Sequence, residues 1–276
     1  MPLGAIIIAL MFAAKKPDVV VRPPVRPLAP APVASVRILD GTVERGQGPS
    51  WKSADRDFRI APGEVLRTSR DGAALLTFPW MHIVVADDTV VGLTPSTVLS
   101  ATLARGRIQE QATAGDILKV VTAEAEVRGR GDVVVIRSES PPLTRVSALR
   151  GWFRVKSPRG TLSLDGGQAA VIAPEAAPER VELPAAPTGL NPGSDPAYVI
   201  QGRAQRLAWT GSAPRYRVQV VSLEGDEFVL SREVAASSVE VPGRWLGTFR
   251  WRVSALDERG VEGAPSAPGL ICVVEK

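Results

Sequence analysis

The chain has 276 residues, enough for two domains of ordinary size, and it carries a formal net charge of +4. No run of lysine and arginine is interleaved with aromatic residues, so we expect no nucleic acid among the partners. Cys272 is the single cysteine, which excludes an intramolecular disulfide and any CxxC metal or redox motif. Its apolar neighbours predict a small buried core residue.

Aromatic residues make up only 5% of the chain, whereas glycine and proline are plentiful. β-Branched residues recur in short runs between turn formers, and no helical stripe follows the N-terminal segment. This pattern favours an all-β fold, and the short strands and turns of the first region suit a β-roll, solenoid or sandwich.

The N-terminus carries twelve mostly apolar residues at positions 3–14, fewer than the roughly 20 that span a bilayer. We therefore predict that residues 1–16 are a signal peptide or a short membrane anchor, and that the protein is periplasmic or faces the periplasm of a bacterium. No basic residue precedes the apolar run, and Lys15 and Lys16 follow it, which is the reverse of the usual signal layout. A short buried strand is the alternative.

Six prolines between positions 17 and 32 predict an extended, semi-rigid linker over residues 17–33. Such a spacer would hold the following domain away from a lipid surface. Contact with the membrane is expected only through the N-terminal segment.

Residues 34–183 are predicted to form the first β domain, as short strands separated by turns. Apolar and polar residues alternate over 121–128, which predicts one buried and one solvated face. Arg130, Gly131 and Asp132 spell an adhesion tripeptide, but a hairpin turn is the preferred interpretation. Within 146–172, glycines including Gly151 are predicted to separate short strands, one of which places Phe153 in the core.

This domain resembles the periplasmic domain of the FecR family, which is named after the ferric-citrate regulator. The resemblance is carried by a glycine and an acidic residue before Arg-Thr, then a strand of small residues ending in phenylalanine, and by later glycines. The matching residues are Gly63, Glu64, Leu66, Arg67, Thr68, residues 73–78, Gly151 and Gly167. Asp88 stands where the family usually has glycine, a tolerable change because aspartate also adopts left-handed backbone angles.

A second proline-rich linker is predicted over 184–196, followed by a sandwich domain over 197–276. This last region resembles a fibronectin type III or immunoglobulin-like domain. The resemblance rests on an early tryptophan, a Tyr-x-Val strand, an aromatic-Arg-Val-x-Ala strand and Pro-Ser before the final strand. It implies that Trp209, Tyr216 and Trp251 are core residues between two sheets.

The search for chemistry yields no nucleophile elbow, phosphate loop, zinc-protease motif or dinucleotide fingerprint. His82 is the single histidine and lies in an apolar strand, so a structural role is preferred. Asp87 and Asp88 could bind a hard cation, but neighbouring carboxylates on a turn more often only cap it. We therefore predict no catalytic, cofactor-binding or metal-binding residues, no cofactor and no enzymatic activity.

The resemblance to the FecR family implies a non-catalytic envelope protein that takes part in signal sensing or regulation through contacts with a protein partner. Strand addition at an exposed sheet edge is the expected mode of contact. A structural or scaffolding protein of the envelope is the alternative. Both interpretations assume inert apolar interiors, without a deep polar cleft that gathers His82 with carboxylates.

Overall fold

A computed structural model describes residues 33–276 apart from 48–49, 55–56, 80, 95–99, 113–116 and 225–227. The predicted signal or anchor and nearly all of the first proline-rich linker lie outside these residues. No helix in the described part of the chain could cross a bilayer. Every regular element described is a strand, which confirms the all-β prediction.

The first fifteen strands belong to one sheet, which we call the roll. They are β1 (Ala34–Asp40), β2 (Val43–Gln47), β3 (Ser50–Ser53), β4 (Phe58–Ile60), β5 (Val65–Thr68), β6 (Ala73–Phe78), β7 (Met81–Val85), β8 (Val90–Thr94), β9 (Ser100–Ala112), β10 (Leu118–Val121), β11 (Glu126–Glu139), β12 (Pro142–Ser157), β13 (Gly160–Asp165), β14 (Gln168–Ile172) and β15 (Glu179–Glu182).

The roll consists of two layers that share three long strands, β9, β11 and β12. One half of each long strand pairs within the layer β4-β1-β6-β7-β9-β11-β12-β14-β15, and the other half pairs with β8, β10 or β13 in the second layer. The strands change layer at Gly106, Gly131 and Gly151, whose φ angles are +92°, +122° and +88°. Glycine suits these bends because it has no Cβ to oppose a positive φ.

Gly131 and Gly151 are directly paired across β11 and β12. A Cβ on either glycine would clash with the backbone carbonyl of the residue before its partner, Arg150 or Arg130. The predicted hairpin turn at Arg130, Gly131 and Asp132 is therefore wrong, and so is the predicted strand break at Gly151. Both glycines lie inside long strands, because β11 and β12 form one hairpin that continues from one layer into the other.

The predicted alternation over 121–128 is also corrected. Residues 122–125 form the turn between β10 and β11, with the Thr122 amide donating to the Ala125 carbonyl at 2.8 Å. Glu124 is buried there, and its carboxylate accepts from Thr144 at 2.7 Å and from Arg137 at 3.0 Å. The alternating pattern therefore runs through a turn and does not mark a single strand. The polar side chains of the turn point inwards, so they do not form a solvated face.

The remaining strands form the sandwich. They are β16 (Thr188–Asn191), β17 (Ala197–Ile200), β18 (Ala204–Thr210), β19 (Arg215–Ser222), β20 (Phe228–Val234), β21 (Ser238–Pro242), β22 (Gly247–Leu256), β23 (Glu262–Pro265) and β24 (Gly269–Val274). The order β16-β18-β21 makes one sheet, and β17-β24-β22-β19-β20, with β23 on β22, makes the other.

The sandwich core lies between these two sheets, as in fibronectin type III and immunoglobulin-like folds. Trp251 is fully buried, and its indole N–H donates to the Pro192 carbonyl at 3.1 Å. Trp209 packs edge-on against Tyr216, with ring centroids 5.3 Å apart. β16, which lies inside the segment 184–196, is an edge strand of the sandwich paired with β18.

Candidate functional site

The FecR-like motif residues 63–68 lie in the turn before β5 and in β5 itself, in the second layer of the roll. Gly63 has a φ of +95° in the turn before β5, and the Glu64 carboxylate accepts from the Ala61 amide at 2.7 Å. Arg67 pairs with Glu44 at 2.5 Å. Thr68 is buried, and its hydroxyl donates to the Ala86 carbonyl at 2.6 Å. Each of these contacts holds the backbone of the roll.

The later glycines and Asp88 have backbone roles too. Gly167 has a φ of +89° in the β13–β14 turn, where its amide donates to the Ala148 carbonyl at 2.8 Å. Asp88 has a φ of +47°, which confirms that this position requires a left-handed angle. Phe153 is fully buried in the core of the roll.

The sandwich docks on the outer face of the first layer through a buried ion pair. The Arg107 guanidinium of β9 donates to the Glu262 carboxylate of β23 at 2.5 and 2.6 Å, and both side chains are at most 3% exposed. Arg107 also donates to Gln109 at 3.0 Å, and Gln219 of β19 donates to the same oxygen at 3.3 Å. Bidentate geometry and burial make this pair specific for one docking position.

A second charged contact lies beside the first. Arg217 of β19 donates to Asp87 of the roll at 2.5 Å and to Glu233 of β20 at 3.2 Å. Burial alone lowers the pKa of Arg217, but the carboxylates of Asp87, Glu262 and Glu233 outweigh burial and raise that pKa. Asp87, which was expected only to cap a turn, therefore links the two units.

Apolar residues complete the contact. Ala169 and Val171 of β14 pack against Val261 of the sandwich, and all three are buried. At the rim, the Arg259 guanidinium makes two hydrogen bonds of 2.8 Å to the Glu179 carboxylate. We call the whole contact between roll and sandwich the joint.

Beside the joint the two units enclose a cavity of about 830 Å³, which we call the cleft. Its floor includes a row of polar residues on six neighbouring strands of the first layer, each directly paired with the next. This row is Ser35, Thr77, His82, Gln111, Asp132 and Arg150. Leu75, Val84 and Leu149 add apolar surface to the floor.

The sandwich forms the roof of the cleft. Arg250 and Arg252 lie on one face of β22, directly paired with Val221 and Gln219 of β19. Phe228 of β20 adds an aromatic ring. The expectation of inert interiors without a polar cleft at His82 is therefore wrong, because the outer face of the roll is covered by the sandwich.

Among the described residues that line the cleft, positive side chains outnumber negative ones. Four are arginines and two are aspartates. Asp57 pairs with Arg37 at 3.7 Å, and Asp132 pairs with Arg150 at 3.1 Å. Burial, and then the neighbouring charge of Arg250, lower the pKa of Arg252. Both carboxylates thus have arginine partners in the floor, and Arg252 brings a further positive charge from the roof.

Two lining side chains bury nitrogens that have no hydrogen-bond partner among the described residues, namely Nε of Arg252 and Nδ1 of His82. Buried polar atoms are normally satisfied, since an unmade hydrogen bond costs about 1–3 kcal/mol. Each of these side chains therefore has hydrogen-bonding capacity that no described residue meets.

Glu110 lies on the opposite face of β9, towards the core of the roll. It is 1% exposed, and neither carboxyl oxygen has a partner among the described residues. Burial, with a smaller contribution from Asp132, raises the pKa of Glu110 to about 9. The carboxyl group is therefore neutral at pH 7.

The free edge of the six-stranded sheet is the other notable surface. β17 pairs with β24 on one side, and no described strand pairs with its other side. Tyr198 is 74% exposed, and Ile200 and Val274 are each 39% exposed. Cys272, predicted to be buried, is half-exposed beside them, because the roll covers β19 and β22 but leaves β24 open on this face.

Comparisons with known proteins give structural similarities only. No family model matches the chain, and no curated protein matches it. Two solved structures of a candidate anti-sigma factor from Parabacteroides distasonis ATCC 8503 are 16% and 15% identical, each with a TM-score of 0.39 and 43% of this chain covered. The matched part spans 59% of that protein. Domains A168–A170 of titin are 13% identical over 90% of this chain and 95% of theirs, with a TM-score of 0.28.

Sequence reasoning did not find the joint or the cleft. The available signal was β19, where Arg217 and Gln219 alternate with apolar residues and suggest a solvated face, yet they are only 5% and 7% exposed. No local pattern distinguishes a polar face in water from one covered by another unit. In the described ranges, no group of three or more His, Cys, Asp or Glu side chains is placed to hold a metal ion.

Proposed function

We propose that this chain is an exported, non-catalytic protein of the bacterial envelope that takes part in signal sensing and regulation by binding a protein partner. The observation that carries the proposal is the uncharged, apolar edge strand β17. Sheet edges that must stay unpaired usually carry charges, prolines or bulges. The four residues of β17, Ala-Tyr-Val-Ile, include none of these.

The proposed occupant of this edge is an extended segment of a partner protein, added as a further strand. Main-chain hydrogen bonds would supply affinity, and Tyr198 and Ile200, on one face of β17, would supply side-chain contacts. The resemblance of the roll to FecR periplasmic domains, carried by residues such as Gly63 and Arg67, supports a regulatory partner.

Transcript measurements in a deletion strain test this proposal. The strain is complemented with the wild-type chain, with Ile200→Lys, or with Leu223→Lys. Leu223 is 46% exposed in the β19–β20 turn, so it is a matched control for an exposed apolar residue changed to lysine. We expect deletion to change transcription. The wild-type chain and Leu223→Lys should restore it, whereas Ile200→Lys should not.

Two results would refute the proposal: unchanged transcription after deletion, or full restoration by Ile200→Lys. Equal thermal stability of the two lysine variants ensures that a failure of Ile200→Lys to restore transcription does not reflect misfolding. Crosslinking from a photoreactive residue at position 198 then identifies the partner.

The joint favours a second candidate function, that of an envelope scaffold. The buried Arg107–Glu262 pair fixes the sandwich on the roll, as a spacer between binding partners requires. A scaffold predicts altered envelope integrity with unchanged transcription in the same deletion strain.

A further inference from the structure

The cleft between roll and sandwich has the chemistry of an anion site. Arg250 and Arg252 are two positions apart on one strand, so both side chains lie on the same face of β22. Gln219 of β19, which is directly paired with Arg252, carries no negative charge. Arg252 therefore brings a positive charge to the cleft.

The two partnerless nitrogens lie on opposite walls of the cleft. Nε of Arg252 belongs to the roof and Nδ1 of His82 to the floor. Arg252 carries a fixed positive charge and donor groups in a planar fork that suits a carboxylate. Gln111, directly paired with His82, adds an amide that can donate or accept.

Apolar side chains add a second kind of surface to the cleft. They are Leu75, Val84, Leu149, Val221 and Phe228. The volume of about 830 Å³ lies within the range of roughly 300–1,000 Å³ typical of small-molecule pockets. The walls thus match a ligand with an apolar body and an acidic group.

We propose that the cleft binds a small organic acid, with its carboxylate on Arg252 and its apolar body against Phe228 and the aliphatic residues of the floor. His82 and Gln111 then hydrogen-bond polar groups of the same ligand. This inference goes beyond the proposed function, because it involves neither β17 nor a protein partner.

Calorimetric titration of the full chain tests the site with three probes: 3-phenylpropionate, 3-phenylpropylamine and inorganic phosphate. The first two share one apolar body and differ in charge. We expect the acid to bind about tenfold or more tightly than the amine, since a hydrogen bond to a charged group contributes roughly 1.5–3 kcal/mol. Phosphate is expected to bind more weakly than the acid, because it lacks an apolar body.

Arg252→Gln should weaken binding of the acid about tenfold. Arg206→Gln is the matched control, because Arg206 is exposed on β18 outside the cleft and loses the same charge. Ala264→Trp, at the cleft wall, should block the acid without changing any charge. This second variant keeps the test decisive if Arg252→Gln does not fold.

The proposal is overturned if acid and amine bind equally, if no probe binds at millimolar concentration, or if phosphate binds as tightly as the acid. It is also overturned if Ala264→Trp, or folded Arg252→Gln, binds the acid like the wild type. The transcript test with Ile200→Lys is independent of every one of these outcomes.

Discussion

The sandwich core and the joint are both buried, but the core consists of apolar side chains and the joint contains charged ones. The core gathers Trp209, Tyr216 and Trp251 around aliphatic residues, whereas the joint buries Arg107 and Glu262 at no more than 3% exposure. An apolar core is stabilised by area removed from water and tolerates many arrangements. A buried ion pair is favourable only in one geometry, so the joint selects how the two units dock. The two regions should therefore respond differently to substitution.

Replacement of Trp251 by alanine should have the largest effect. Loss of a fully buried indole leaves a cavity and costs about 3–5 kcal/mol in the free energy of unfolding. Chemical denaturation of the variant measures this cost. A loss below about 1 kcal/mol would contradict its place as the centre of the core.

Glu262→Ala should lower the free energy of unfolding by a similar amount, about 3–5 kcal/mol, for a different reason. It leaves the Arg107 guanidinium buried without its carboxylate partner. Here a second change should rescue the first. The double variant Arg107→Met, Glu262→Leu should recover most of the loss, because apolar pairs often replace buried ion pairs without penalty. A double variant no more stable than Glu262→Ala would show that the pair does not act as a unit.

Glu110 extends the comparison to a buried ionisable group without a partner among the described residues. Its pKa of about 9 when folded lies above the usual 4.5, so the folded state retains a proton that the unfolded state loses. The contribution of Glu110 to stability is therefore complete below about pH 4.5 and falls as pH rises to about 9. Glu110→Gln should remove this slope, and its advantage over the wild type should grow by about 5 kcal/mol between about pH 5 and pH 9. Parallel pH profiles of unfolding would disprove the assignment.

The smallest expected effect concerns the bend shared by the two layers. Gly151→Ala should cost about 1–3 kcal/mol, because the residue needs a positive φ and its Cβ would meet the Arg130 carbonyl. Gly167→Ala is the control, with nearly the same φ and no atom within 4 Å of the added Cβ. The melting temperature of Gly151→Ala should therefore fall further below that of the wild type than the melting temperature of Gly167→Ala. Equal losses would mean that φ alone decides the cost.

Much of the fold was predictable from the chain. Alternation around Trp251 and Tyr216 indicated strands of a sandwich, and the all-β class followed from composition. The bends were not predictable, because Gly131 and Gly151 read locally as turn residues and only their pairing places them inside long strands. The cleft was missed because His82 and Arg252 are 170 positions apart in the sequence and each sits in an ordinary alternating strand.

By itself the sequence determined which residues alternate, where strands form and which large side chains leave water, because these depend on neighbours one or two positions away. Only the tertiary structure decided that a polar strand face becomes an interior. Arg107 and Arg217 each have a carboxylate partner in the other unit, Arg252 lines the cleft, and no short-range pattern encodes a surface that is covered from outside. Burial of charge depends on distance in space, which the order of residues does not specify.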